Sequence, residues 1–128
     1  MPKVLIVDDE PAIRQLFQYV FEDEGYEVST AGNGLEALQA LAAGAMDLII
    51  LDVSMPEMDG REFMLELTRR AAKTPWLAEI PIIVMTGENF MESGLNQVFA
   101  AARGFVCFLP KMTPPELVLE KARTAAAK

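Results

Sequence analysis

A chain of 128 residues is long enough to bury one core and short for two, so a single domain spanning residues 1–128 is expected. Its 11 basic and 19 acidic residues leave a net charge of −8, which sets nucleic-acid phosphates and anionic membranes against it as direct partners. With 52% hydrophobic residues the chain is too apolar for disorder, yet no apolar run approaches the roughly 20 residues of a membrane span.

The start, Met1 to Asp9, turns acidic before any secretory signal could develop, and one cysteine forms no internal disulfide. A cytoplasmic address is the expectation. The chain has no histidine, which removes His-based triads, His-containing zinc sites and phosphohistidine carriage. Cys107 lies in the apolar run Phe105 to Leu109 and reads as a plain buried thiol. The remaining chemistry runs on carboxylates, hydroxyls, lysine and a hard metal ion.

Val4 to Val7 is the first strand candidate. Ile13, Leu16, Phe17, Val20 and Phe21 follow helical spacing, opened by Pro11 and closed at Gly25. Tyr26 to Thr30 alternates like an edge strand. Leu35, Leu38, Leu41 and Ala42 mark a second helix ending at Gly44, and Leu48 to Leu51 a third strand. Phe63, Met64, Leu67 and Ala71 mark a third helix, and Ile80 to Met85 a fourth strand. Leu95, Val98, Phe99 and Ala102 give a further helix stopped by Gly104. Phe105 to Leu109 is the fifth strand, and a last helix begins near Thr113 with Leu117, Val118 and Ala122. Five βα units in strict alternation predict an α/β fold, a doubly wound parallel sheet of five strands in the flavodoxin-like order 2-1-3-4-5.

Ligands of such a sheet bind outside the carboxyl ends of its strands. Strand one ends in Asp8-Asp9-Glu10, strand three in Asp52, strand four in Thr86-Gly87 and strand five in Pro110-Lys111. Clustered carboxylates stay ionised best beside a cation, and Mg²⁺ takes one or two carboxylates while leaving room for a phosphate. A free carboxylate can then attack a phosphoryl group while metal and lysine absorb the charge, with Thr86 and the Gly87 backbone as neutral donors. Taken singly, Asp9 also suits a helix cap ahead of Pro11, Asp52 and Thr86 suit turns, and Lys111 a solvated end charge. Chance capping does not explain why all of them share one edge.

Together these residues resemble the receiver domain of bacterial two-component response regulators, of the CheY-like kind, over roughly Lys3 to Arg123. Val7-Asp8-Asp9-Glu10 is similar to the family's acidic pair, and Leu51 to Gly60 to its phosphoacceptor loop, with Pro56 and Gly60 four and eight residues past Asp52. Met85-Thr86-Gly87 is similar to the switch hydroxyl and its small neighbour. Gly104 to Lys111 places an aromatic, Phe108, three residues before the lysine. The resemblance implies phosphorylation of Asp52 by a histidine kinase or histidine phosphotransfer protein. It implies Mg²⁺ (or Mn²⁺) on Asp9, Asp52 and the Ser54 carbonyl, with Asp8 helping through water, and Lys111 paired to Asp52. It also implies that Thr86 and Phe108 report the change to a downstream protein, or to a second copy in a phosphorylation-dependent homodimer. The reporting face is the further helix, strand five and the last helix, near Asn96, Ala100 and Glu116.

The chain departs from the family's pattern in one place. Met112 follows Lys111 where the family usually has a proline in a cis peptide, and a cis bond before a non-proline residue costs about 2.5–4 kcal/mol, so a trans bond is expected. The altered loop supports a rival reading as a pseudo-receiver, an interaction module without phosphorylation. An aspartyl phosphatase would need two aspartates separated by one residue, whereas Asp8 and Asp9 are adjacent. A flavin module would need a phosphate cradle after strand one, where three acids stand instead.

Overall fold

A computed structural model describes residues 2–53, 57–87 and 103–126. The order is β1 (Lys3–Val7), α1 (Pro11–Asp23), β2 (Glu27–Ala31), α2 (Gly34–Ala43), β3 (Leu48–Asp52) and α3 (Gly60–Ala71). A 3₁₀ turn (Pro75–Glu79), β4 (Ile82–Thr86), β5 (Phe105–Pro110) and α4 (Pro115–Ala126) complete it. The expected helix around Leu95, Val98, Phe99 and Ala102 lies outside the described residues. All strand pairs are parallel, in the order β2-β1-β3-β4-β5. Among the described residues, no helix is long and apolar enough to cross a membrane.

Alternation along the strands divides the interior into two layers. Leu5, Val7, Ile49, Leu51, Ile82 and Val84 face Ala37, Leu38 and Leu41 of α2 and Phe63, Met64 and Leu67 of α3. Val4, Ile6, Leu48, Ile50, Ile83 and Met85 face Phe17 and Phe21 of α1 and Val118, Leu119 and Ala122 of α4. Because β1, β3 and β4 are buried on both faces, their sequences are continuous apolar runs rather than alternating ones.

The helical stripes differ in detail from the spacing read in the sequence. Leu16, Leu35 and Leu117 are exposed, while Ala37, Leu119 and Ala125 take core positions. A helix seated over a twisted sheet buries an arc wider than one row, and small residues fill the close approach. Tyr26 precedes β2 rather than opening it, and its ring packs edge-on against Phe21 with centroids 4.9 Å apart. Strand four starts at Ile82 rather than Ile80, since Pro81 has no N–H to give; its carbonyl accepts from Ile49 N at 2.9 Å.

The 3₁₀ turn has no counterpart among the elements expected from the sequence; Pro75 opens it, and it buries Leu77. It leads into β4 beside the entrance of β5, where the Ile82 amide donates to the Gly104 carbonyl at 2.8 Å. A Cβ at Gly104 would lie 2.1 Å from the Ile80 carbonyl oxygen, so only glycine fits. Beyond it β5 carries an irregularity: Ile82 pairs with Phe105, but Ile83 pairs with Cys107. The extra residue puts Phe105 and Phe108 on one face, ring centroids 4.8 Å apart. Cys107 is half-buried rather than fully buried; β5 ends the sheet, and its side chains from Phe105 to Leu109 keep intermediate exposure. Burial raises its thiol pKa against the opposing charge of Lys121.

Candidate functional site

The carboxyl ends of β1, β3, β4 and β5 form one polar edge. As β1 ends, the Asp8 amide donates to the Ala31 carbonyl at 3.0 Å, extending the ladder one residue and turning the Asp8 side chain inward. That carboxylate is buried and accepts from the Glu10 amide at 2.9 Å, while Arg14 of α1 donates to the Asp8 carbonyl at 2.6 Å. Glu10, not Asp9, occupies the cap position of α1, and its side chain makes no capping hydrogen bond. Asp9 and Glu10 are exposed. Carboxylate oxygens of Asp8, Asp9 and Glu10 lie within 4.8 Å of one another.

Asp52 ends β3 opposite Met85 and is 1% exposed. Thr86 ends β4, is buried, and accepts at its carbonyl from the Lys111 amide at 3.1 Å. That bond fixes the turn out of β5 and swings the Lys111 side chain back over the edge. Its Nζ stands 2.9 Å from Asp52 Oδ2 and 3.2 Å from Glu10 Oε1. The peptide between Lys111 and Met112 is trans, and the Met112 side chain is exposed. Lys111 therefore reaches Asp52 with no proline after it.

Electrostatics follow from this packing. Burial raises the Asp8 carboxyl above the ordinary carboxylate range; the Glu10 N–H and the Lys111 charge oppose it, while Asp9 and Glu10 repel it further. Burial also works against the charge on Lys111. The hydrogen bonds and charges of Asp52, Glu10 and Asp8 together outweigh it, and the ammonium titrates above the ordinary lysine range. The edge thus holds a cation locked between two carboxylates beside an acidic cluster with an excess of negative charge. A donor set of oxygens alone, part buried and mutually repelling, suits a hard divalent ion.

The loop from β3 to α3 is tied down on its far side. Asn33 caps α2 by accepting from the Glu36 amide at 2.9 Å, and its Nδ2 donates to Glu57 Oε2 at 3.3 Å. The Gly34 amide donates to the Met58 carbonyl at 3.0 Å, and a Cβ at Gly34 would come within 2.6 Å of Met58 Cγ. Glu57 holds φ at 65°, the left-handed region that glycine favours. Asp59 and Glu62 form a capping box at the start of α3.

The edge therefore brings together Asp8, Asp9, Asp52, Thr86 and Lys111, all of which the sequence singled out. Ser54 lies outside the described residues. Phe108 is half-buried on β5 against Phe105. Glu10 stands in the sequence as one member of an acidic run with no role of its own, yet it is the second partner of Lys111. Asn33 went unnoticed, although an Asn followed three residues later by Glu is a legible helix start; its reach to Glu57 is not legible, because 24 positions separate them.

Residues 4–123 match the response regulator receiver domain. This chain belongs to that family. The receiver is 39% identical to the transcriptional regulatory protein AruR of Pseudomonas aeruginosa over 123 residues, 92% of this chain and 47% of that protein. It spans about half or less of the length of the first curated relatives it matches. Among solved structures it is similar to the chemotaxis response regulator CheY4 of Vibrio cholerae, with TM-score 0.81, 37% identity and 98% of both chains covered. It is also similar to the response regulator TrrA of Thermotoga maritima in complex with Mg²⁺-BeF, with TM-score 0.77, 32% identity, and 98% and 99% of the two chains covered. Receivers are signalling domains of two-component systems, and they generally depend on Mg²⁺.

Proposed function

We propose that this receiver takes a phosphoryl group on Asp52 from the phosphohistidine of a histidine kinase or histidine phosphotransfer protein, and later loses it to water. One Asp52 carboxylate oxygen attacks phosphorus, the phosphorus–nitrogen bond breaks, and an acyl phosphate forms. The observation that carries this reading is the Lys111 ammonium 2.9 Å from the buried Asp52 carboxylate, beside the acidic cluster. Lys111 holds and orients Asp52 before transfer and meets the added charge after it. The reach of Lys111 without a following proline supports the phosphoacceptor reading over interaction without phosphorylation.

Asp8, Asp9, Asp52 and the Ser54 carbonyl would hold Mg²⁺ or Mn²⁺, which when bound supplies positive charge to the phosphoryl oxygens. TrrA, similar along nearly its whole length, is known in a complex with Mg²⁺-BeF, which supports a phosphoryl-sized group and a metal in the same fold. Thr86 donates its hydroxyl to the new oxygens, and Phe108 follows it inward on the neighbouring strand. A downstream protein or a second copy of the chain reads the altered face, in the cytoplasm. The whole of residues 1–128 acts as one receiver unit. Transfer from a phosphorylated kinase tests the donor: label should pass to the wild type and not to Asp52→Asn, and passage to both would reject Asp52 as acceptor.

A further inference from the structure

At the opposite edge of the sheet, where α2 and α3 run out, a half-open cleft of about 670 Å³ separates the two helices and the 3₁₀ turn. Leu38, Leu41, Leu67 and Leu77 floor it, and Trp76 walls it with 41% of its surface exposed. Arg69, Arg70 and Lys73 stand on its rim. Three of the chain's 11 cations fall within five positions there, in a protein of net charge −8. Glu66 pairs with both Arg69 and Arg70. One acid against three bases still leaves the rim locally positive, inverting the sign of the molecule.

We infer that this cleft docks an acidic amphipathic helix of a partner protein, with apolar side chains on the leucine floor and carboxylates against Arg70 and Lys73. The chemistry favours a helix over a small ligand. Small-ligand sites of this volume place a few polar groups inside to orient the molecule. The polar side chains lining this cleft are Arg69, Arg70, Lys73 and Thr74, and none of the four is buried on its floor. The charges stand outside, spaced along the last turn of α3 and the residues after it, matching a carboxylate-flanked apolar stripe laid between two helices. Tryptophan and arginine, both on this rim, are among the residue types enriched at the energetic centres of interfaces. Because the cleft lies at the amino ends of the strands, its occupant leaves Asp52 open to phosphorylation.

Trp76 is the only tryptophan and reports directly. The probe is a synthetic peptide of about four helical turns with leucines at i, i+3, i+4 and i+7 and flanking glutamates; a control scrambles that composition. The peptide should shift Trp76 emission to the blue with a saturable curve that weakens with salt, and the scramble should not. Lys73→Glu and Arg70→Ala, both at exposed positions, should each weaken binding about threefold to tenfold while phosphodonor labelling of Asp52 stays as in wild type. No shift with the peptide, equal binding of the scramble, or unchanged affinity in both variants would overturn the proposal. A shift with decanoate but not with the peptide would also overturn it and assign the cleft to a small anionic amphiphile.

Discussion

Lys111 Nζ lies 2.9 Å from Asp52 Oδ2, joining the ends of two strands that are not neighbours, since β4 runs between β3 and β5. The lysine crosses β4 at Thr86, whose carbonyl holds its amide at 3.1 Å. A change at Asp52 therefore touches the Thr86 strand end and the β5 exit together, which makes this pair the mechanical centre of the site.

Cutting the pair should cost stability. Lys111→Ala leaves the Asp52 carboxylate, 1% exposed, without its ammonium partner, and loss of a partner to a buried charged group costs about 1–3 kcal/mol or more. Urea unfolding would measure this. A variant as stable as wild type would mean that Asp52 does not depend on the lysine.

The pH dependence of the same pair has a definite sign. The folded-state pKa of Lys111 lies above that of a free lysine, so the native state binds this proton more tightly than the unfolded chain does. Its contribution is fully present below the ordinary lysine value and fades as pH rises through the folded one. Stability should fall in alkali above about pH 10, and Lys111→Met should flatten that limb; an unchanged limb in the variant would contradict the assignment.

Asp8 carries the opposite kind of strain. Burial raises its pKa, so its ionised form costs stability at neutral pH, and mild acid relieves that cost. Asp8→Asn keeps an oxygen for the Glu10 amide and removes the charge. Its Tm without divalent metal should exceed that of wild type, while the rise in Tm on adding Mg²⁺ should shrink. A lower metal-free Tm, or an undiminished Mg²⁺ response, would place the repulsion or the ion elsewhere.

Gly104→Ala tests the entrance to β5. Its Cβ would meet the Ile80 carbonyl oxygen at 2.1 Å, and the backbone must move, at a cost of about 1–3 kcal/mol or more. Because that movement displaces the strand carrying Phe108 and leading to Lys111, phosphodonor labelling should also slow. Unfolding curves and labelling rates equal to wild type would show that the close approach is not maintained.

Most of the fold was legible because its buried parallel strands are continuous apolar runs and its helices are amphipathic. The parallel sheet followed from the right-handed crossovers, and its order from the count of five strands, which fits the flavodoxin-like arrangement. What escaped has physical causes. Leu117 and Leu119 are equally apolar, and only the seating of α4 decides that the second is buried. The irregularity between Phe105 and Cys107 leaves no mark in a run of five apolar residues, yet it decides the face on which Phe108 lies. The site was legible wherever a residue ends a strand, as Asp52 and Thr86 do, or follows one, as Asp8 and Lys111 do. Glu10, exposed and one of three consecutive acids, could be assigned to Lys111 only once the β5 exit was placed.

Intact mass after incubation with a small phosphodonor and Mg²⁺ decides whether Asp52 is the phosphoacceptor. Wild type should gain one phosphoryl group, which is lost again on standing, and Asp52→Asn should gain none while keeping the wild-type fold by circular dichroism. Labelling of the variant to the wild-type extent, or no labelling of wild type under conditions where CheY4 of Vibrio cholerae serves as a parallel sample and is labelled, would contradict the assignment of Asp52 as the phosphoacceptor.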